Sequence, residues 1–374
     1  MRTRSFIMAV GTVSAGLSLI LPGVATAESK PTAKPVIKSS AVMMPFNLEV
    51  GRNSVLVADG GLNLVGKLKK DGSLATIASN QPGAAGVATS RNGKWLAFAT
   101  TVTNEQTFEN TASGLNLWGP WGKRIYADIH AYEVKHNPDK KYSYGVKNPS
   151  KCVSDTLNAM QFPVSYKGLV DAHAYSVAAV RGAWVVADAG ANALFTVSNS
   201  GKVRTLSVLP PHPFTFDKAS AAALELPDCF IGVTYNFESV PTDVELGRDG
   251  YLYVTTLPGG PESPALGARG KLWRVNPWTG KATVVASGFL GATNLAIGKH
   301  GEFYVAEMFA GKITKISHGK RSTLAELPGV IAVETGPDGS IWAGTMGSMD
   351  PSAPPAPGTI VKIVKGKPQQ QSRT

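Results

Sequence analysis

The sequence predicts an all-β protein: a six-bladed β-propeller of four-stranded antiparallel blades, with long loops on one face and a short helical insertion. The first observation is a strand–turn–strand unit that recurs six times. Its copies are LEVGRNSVLVADGGLN from Leu48, VATSRNGKWLAFATTVT from Val87, VAAVRGAWVVADAGAN from Val177, VELGRDGYLYVTTLPGG from Val244, LAIGKHGEFYVAEMFAG from Leu295 and VETGPDGSIWAGTMGSM from Val333. Apolar and polar residues alternate on both arms, and the arms meet at Asp-Gly, Asn-Gly or an equivalent tight turn, which is a hairpin signature. The second observation is that most copies run into another hairpin, such as LVGKLKKDGSLATIAS from Leu64 or GKLWRVNPWTGKATVVAS from Gly270. The third is the size of the unit. A lone hairpin is marginal in water, whereas units of about forty residues repeated around an axis cover one another's faces as propeller blades.

The chain opens on a leader. Arg2 and Arg4 precede an apolar run from Phe6 to Leu21, and Ala25–Ala27 reads ATA, a small-residue cleavage site. The run is short for a membrane span. We expect a secretory signal over residues 1–27, cleaved after Ala27, and a secreted, extracellular protein with no membrane span. Cleavage removes two arginines and no acid, so the formal net charge falls from +11 to +9. Lys and Arg are scattered among the turns without a dense basic run, which reads as a solvated surface. With export, this argues against nucleic acid as a partner.

Residues 28–366 are expected to form the propeller as one domain, and 367–374 a flexible tail. Forty Gly and 25 Pro suit a chain made of turns. The last unit shows only three strands, ending in TIVKIVKG at Thr359–Gly366. KPVIKSS at Lys34–Ser40 resembles outer strands such as LATIAS, so it is expected to supply the missing fourth strand. A short helix is expected at Ser154–Met160. The two cysteines, Cys152 and Cys229, are an even count in an exported chain and are expected to form a disulfide.

Antiparallel order puts the long insertions on one face. The segments Thr103–Gly122, Leu257–Arg269 and Met346–Pro357 follow second strands, and the stretches 132–168 and 210–239 are crossovers. Long loops on one rigid face are a usual seat of binding. Polar residues are expected at the mouth of the axis on that face: Asn47, Asp59, His173, Asp188, Asp243, Asn294 and Glu307. Asp188, Asp243, Asn294 and Glu307 offer oxygen ligands that could hold Ca²⁺ or another divalent cation. The alternative is that strand-end backbone and water satisfy these groups. No G-x-S-x-G, H-E-x-x-H, phosphate loop or dinucleotide fingerprint is present, so no catalytic residue is assigned.

Four stretches carry a family likeness: Val240–Pro277, Gly288–Ile313, ADIHAYEVKHNPD at Ala127–Asp139 and VADAGANALFTV at Val186–Val197. The chain resembles the ScyD/ScyE family of exported bacterial propellers across nearly its whole mature length. It is similar more broadly to NHL-repeat and SMP-30-like propellers. The resemblance implies a six-bladed, exported protein and hands over no catalytic residue. The SMP-30-like enzymes hold a divalent metal at the axis with carboxylate and Asn ligands, and their motif does not map residue by residue here. The leading expectation is a monomeric binding or scaffold module that recognises a small molecule, glycan or protein. The rival is a metal-dependent hydrolase or lyase of the lactonase type with its cation at the axis.

Overall fold

The computed structural model describes residues 31, 33–261, 264–348 and 356–365. The leader and the C-terminal tail expected from the sequence lie outside the described residues. The described residues form seven four-stranded antiparallel sheets, an arrangement of the β-propeller type. Five of them are consecutive up-and-down sheets, running 45–78, 87–128, 174–208, 241–289 and 292–326; we number them one to five. Sheet six combines Val330–Thr335, Ile341–Thr345 and Gly358–Lys365 with the N-terminal strand Ala33–Val42.

Hydrophobic cores lie between neighbouring sheets. Phe98 and Val65 pack sheet one on sheet two, and Trp184 and Leu117 join two to three. Leu194 and Leu252 join three to four, and Leu295 and Leu272 join four to five. Ile313 and Val361 join five to six, and Val57 and Ile360 join six to one. The first strands also touch in the same cyclic order. Alternation supplies this pattern: each strand has two faces, and each face is covered by the next sheet.

The N-terminal strand pairs along Gly358–Lys365 from Ala33 opposite Lys365 to Val42 opposite Gly358. Ser39 Oγ donates to the Gly72 carbonyl at 2.6 Å, tying this strand to the outer turn of sheet one. Gly72 has φ +86, and a Cβ there would meet the Lys38 carbonyl at 2.8 Å, so this close approach requires glycine.

The two crossovers are not loops. Ser143–Val146 and Ser165–Lys167 pair with His212–Thr215 and Thr234–Phe237 into sheet seven. Helices α1 (Ile129–His136), α2 (Lys151–Ala159) and α3 (Lys218–Ala223) accompany it. Ser150 caps α2 by accepting from the Val153 amide. Cys152 and Cys229 form a disulfide across this unit. Around it, Val153, Leu157, Phe216, Phe230 and Tyr235 make a satellite core.

One insertion is smaller than its sequence suggests. Asn110–Trp118 within Thr103–Gly122 is the third strand of sheet two, and only residues 104–109 loop out on the insertion-rich side. Gly114 permits the strand, since a Cβ there would meet the Ala127 carbonyl at 2.4 Å. Trp121, at the far end of that strand, therefore belongs to the opposite side, among the tight turns.

Candidate binding site at the mouth

Six of the seven expected mouth residues hold backbone. Asp59, Asp188 and Glu307 end second strands and clamp the lead-in to the first strand of their own sheet. Asp59 accepts from the amides of Met43 at 2.8 Å, Met44 at 3.0 Å and Leu62 at 3.0 Å. Asp188 Oδ1 accepts from His173 N at 2.7 Å and Ala191 N at 2.9 Å. Glu307 accepts from Leu290 N at 2.6 Å and from the Thr314 hydroxyl.

Asn47, Asp243 and Asn294 stitch each first strand to the next. Asn47 Oδ1 accepts from Val87 N at 3.2 Å, Asp243 Oδ2 from Leu295 N at 2.7 Å and Asn294 Oδ1 from Val333 N at 2.7 Å. The Ser176 hydroxyl donates to Asp243 Oδ1. A register shift precedes each of the three, at Pro45/Asn47, Pro241/Asp243 and Ala292/Asn294. Such a bulge re-aims the following side chain, here onto the neighbouring sheet. Of the four residues expected to share a cation, only Asp188 keeps an oxygen without a hydrogen-bond partner. Among the described residues, no group of three or more His, Cys, Asp or Glu is placed to hold a metal ion.

His173 is different: it lines a cavity of about 320 Å³ on the insertion-rich side, between sheets one, two and three. Phe46, Tyr175 and Phe108 contribute aromatic wall, and Asn110, Glu105 and Asp171 contribute polar groups. The rings of Phe46 and Tyr175 lie 5.6 Å apart, and those of His173 and Tyr175 also 5.6 Å. Asn110 Nδ2 donates to Asp171 Oδ1 at 3.0 Å. Burial lowers the His173 pKa to about 4, so the imidazole facing the cavity is neutral at neutral pH.

Two acidic clusters went unread in the sequence, which singled out only Asp188 among their members. Behind the cavity, Glu133 of α1, Asp139, Asp188 and Glu238 are packed together. Glu133 Oε2 accepts from Asp171 N at 3.0 Å, Asp139 Oδ2 accepts from Tyr144 at 3.0 Å and Asn192 at 3.2 Å, and Tyr166 donates to Glu238 at 3.1 Å. Burial raises Glu238 to about 8 and Asp139 to about 6. It also pushes Glu133 and Asp188 well up, with the Asp188 and Asp139 charges adding to the shift of Glu133. The second cluster, Glu49, Glu245 and Glu334, lies on first strands; burial raises all three, and repulsion from neighbouring carboxylates adds to the shifts of Glu245 and Glu334. Its signal was available: Glu49 and Glu245 stand two residues after Asn47 and Asp243, on the same strand face.

These shifts set a pH dependence. The unfolded carboxyls lose their protons near pH 4, while the folded ones keep them to higher pH. The folded state then binds more protons, so stability falls as pH rises through the folded pKa values. The depressed His173 and His212 values act the other way, but only below the unfolded histidine pKa of about 6.5. The melting temperature is therefore expected to fall from pH 6.5 to pH 9, and Glu133→Gln should flatten the slope. A flat profile in the wild type would contradict the protonated cluster.

No family model matches the chain, and no curated protein matches it. Solved structures do. A glucose dehydrogenase is 11% identical, covering 89% of this chain and 99% of its own, with a TM-score of 0.52. A protein of unknown function from Bacteroides thetaiotaomicron is 11% identical, covering 90% and 75%, with a TM-score of 0.51. A virginiamycin B lyase from Staphylococcus aureus is 14% identical over 83% and 80%, with a TM-score of 0.43. At these identities the first two matches establish a shared fold alone, and that fold is the β-propeller.

Proposed function

We propose that this chain is an exported, monomeric six-bladed propeller of the ScyD/ScyE type that binds a compact small molecule at its mouth. Sheets one to six are the blades, the N-terminal strand completes the sixth, and sheet seven is an accessory cap built from the crossovers. The cyclic order of the inter-sheet cores supports the blade count. The disulfide and the leader support export.

One observation carries the binding reading. The cavity of about 320 Å³ is concave, mostly apolar and supplied with a few polar groups, which is the make-up of a small-ligand site. Phe46 and Tyr175 offer ring faces, while Asn110, Glu105 and neutral His173 offer hydrogen bonds. That chemistry suits a ring-bearing ligand with hydroxyl or amide groups, such as a monosaccharide unit. The hydrolase or lyase reading needed a cation at the axis, and Asp243, Asn294 and Glu307 already use their acceptors on the protein itself.

A thermal-shift panel of sugars, glycosides and small cyclic amides is the test. Hits should bind Tyr175→Ala and Phe46→Ala about tenfold more weakly, as expected for lost ring contacts. Lys320→Ala, on the other side, should bind normally. Hits whose affinity ignores both cavity substitutions would place the ligand elsewhere.

A further inference from the structure

We propose that the tight-turn side of the propeller, opposite the cavity, docks on an anionic lipid bilayer. Asn47, Asp243 and Asn294 stitch three of the seams at equivalent first-strand positions, and the first strands touch in cyclic order, so the sheets stack in phase and their turns end on one side. In chain order these turns read RN, KKDGS, SRNGKW, GPWGK, RG, NSGK, GRDGY, NPWTGK, GKHGE, HG and GPDGS. They hold eleven Lys or Arg against four Asp or Glu, and all eleven cations are exposed. Three of the four acids are engaged by strand residues: Asp249 by Arg274, Glu302 by Lys315 and Asp338 by Lys362. The turn cations thus leave a strongly positive face on a chain whose overall charge is +11.

Two indoles project from the same side. Trp121 is 100% exposed and Trp278 77% exposed, each at the tip of a third-to-fourth-strand turn. Trp121 sits at φ 53, the left-handed region that a bulky residue avoids. Asn276 Oδ1 accepts from the amides of Trp278 and Thr279, both at 2.9 Å, fixing the turn that carries the second indole. Lys123 and Arg124 lie over Trp95 and Trp118, so cationic and aromatic groups are interleaved at the first tip. Indoles favour the headgroup level of a bilayer, and clustered cations favour anionic lipid. A cavity of about 320 Å³ on this side, between sheets one and six, has Arg52, Lys69 and Lys70 in its walls beside the Asp338–Lys362 pair, and its three other cations suit a phosphate headgroup. A polyanion would use the cations but has no need of two protruding indoles.

Co-sedimentation of the full chain with vesicles is the test. Phosphatidylcholine vesicles containing phosphatidylglycerol should bind more than about tenfold tighter than phosphatidylcholine alone. High salt should abolish the difference, because screening shortens the reach of surface charge. The variant Trp121→Ser with Trp278→Ser should bind severalfold more weakly at an unchanged melting temperature, and brominated lipid should quench wild-type fluorescence more than that of the variant. Inorganic phosphate exchanged for chloride at constant ionic strength should leave most of the protein on the vesicles, because the indoles and eight of the eleven turn cations lie outside the cavity, whereas complete displacement would mark a free-phosphate site and overturn the proposal. Absence of binding to the anionic vesicles overturns the proposal. So does equal binding to heparin or DNA with no effect of the tryptophan substitutions, which would mark a polyanion site instead.

Discussion

Deleting Lys34–Ser40 is expected to lower the melting temperature by about 10 °C, the largest effect of any change considered. The deletion removes most of the partner of Gly358–Lys365, whose pairing runs from Ala33 to Val42. Each ladder hydrogen bond contributes on the order of 1 kcal/mol net. Losing several amounts to a large share of the 5–15 kcal/mol that typically separates folded from unfolded states. The Ser39 contact with Gly72 is lost as well, so sheet one loosens with sheet six. Gly358–Lys365 becomes an exposed edge, which invites pairing between molecules. Calorimetry and light scattering of the deletion variant should show both effects; an unchanged melting temperature would remove the closing role of this strand.

The second large effect is expected from Cys152→Ser with Cys229→Ser. The bridge closes a loop of sequence separation 77, for which the chain-entropy model gives about 4–5 kcal/mol as an upper figure. The loss should be local before it is global. The bridge ties α2 to the turn Asp228–Phe230, and the core there is a satellite separate from those between sheets one to six. Limited proteolysis should therefore cut between residues 140 and 170 and between 210 and 240 at temperatures where the other sheets remain intact. Simultaneous cleavage throughout the chain would show that sheet seven and the rest unfold as one unit.

The hairpins were legible because their information is local. An Asp-Gly turn such as Asp249-Gly250 sets the hairpin, and alternation along Val244–Leu246 and Leu252–Thr256 sets the faces. Sheet seven was not legible. Its strands are three or four residues long, and Gly145–Val146 pairs with Tyr235–Asn236 across most of two crossovers. No period can be read in so few residues. The strand Asn110–Trp118 was hidden by Gly114 and its polar start, and the closeness of the Ala127 carbonyl and the Tyr126 ring explains the glycine. For the residues expected at the mouth, the order of residues carried no direction for the side chains. A bulge before Asn47, Asp243 and Asn294 turns each side chain toward the adjacent sheet, and nothing in the residue order marks an extra residue in a ladder. His173 faces the cavity because its own amide is held by Asp188, a partner fifteen positions along.

The pairing of Ala33 with Lys365 also governs timing. Among the described residues, the first strand must wait for the last, so this longest-range strand pairing is the last available. A chain still emerging from a ribosome holds Ala33–Val42 without its mate. A product that stops before Gly358 never acquires that mate, and its bare strand edges offer proteases and chaperones a way to tell it from a finished molecule. Closure of the sixth sheet is thus reported by one ladder of hydrogen bonds between the first and last described strands.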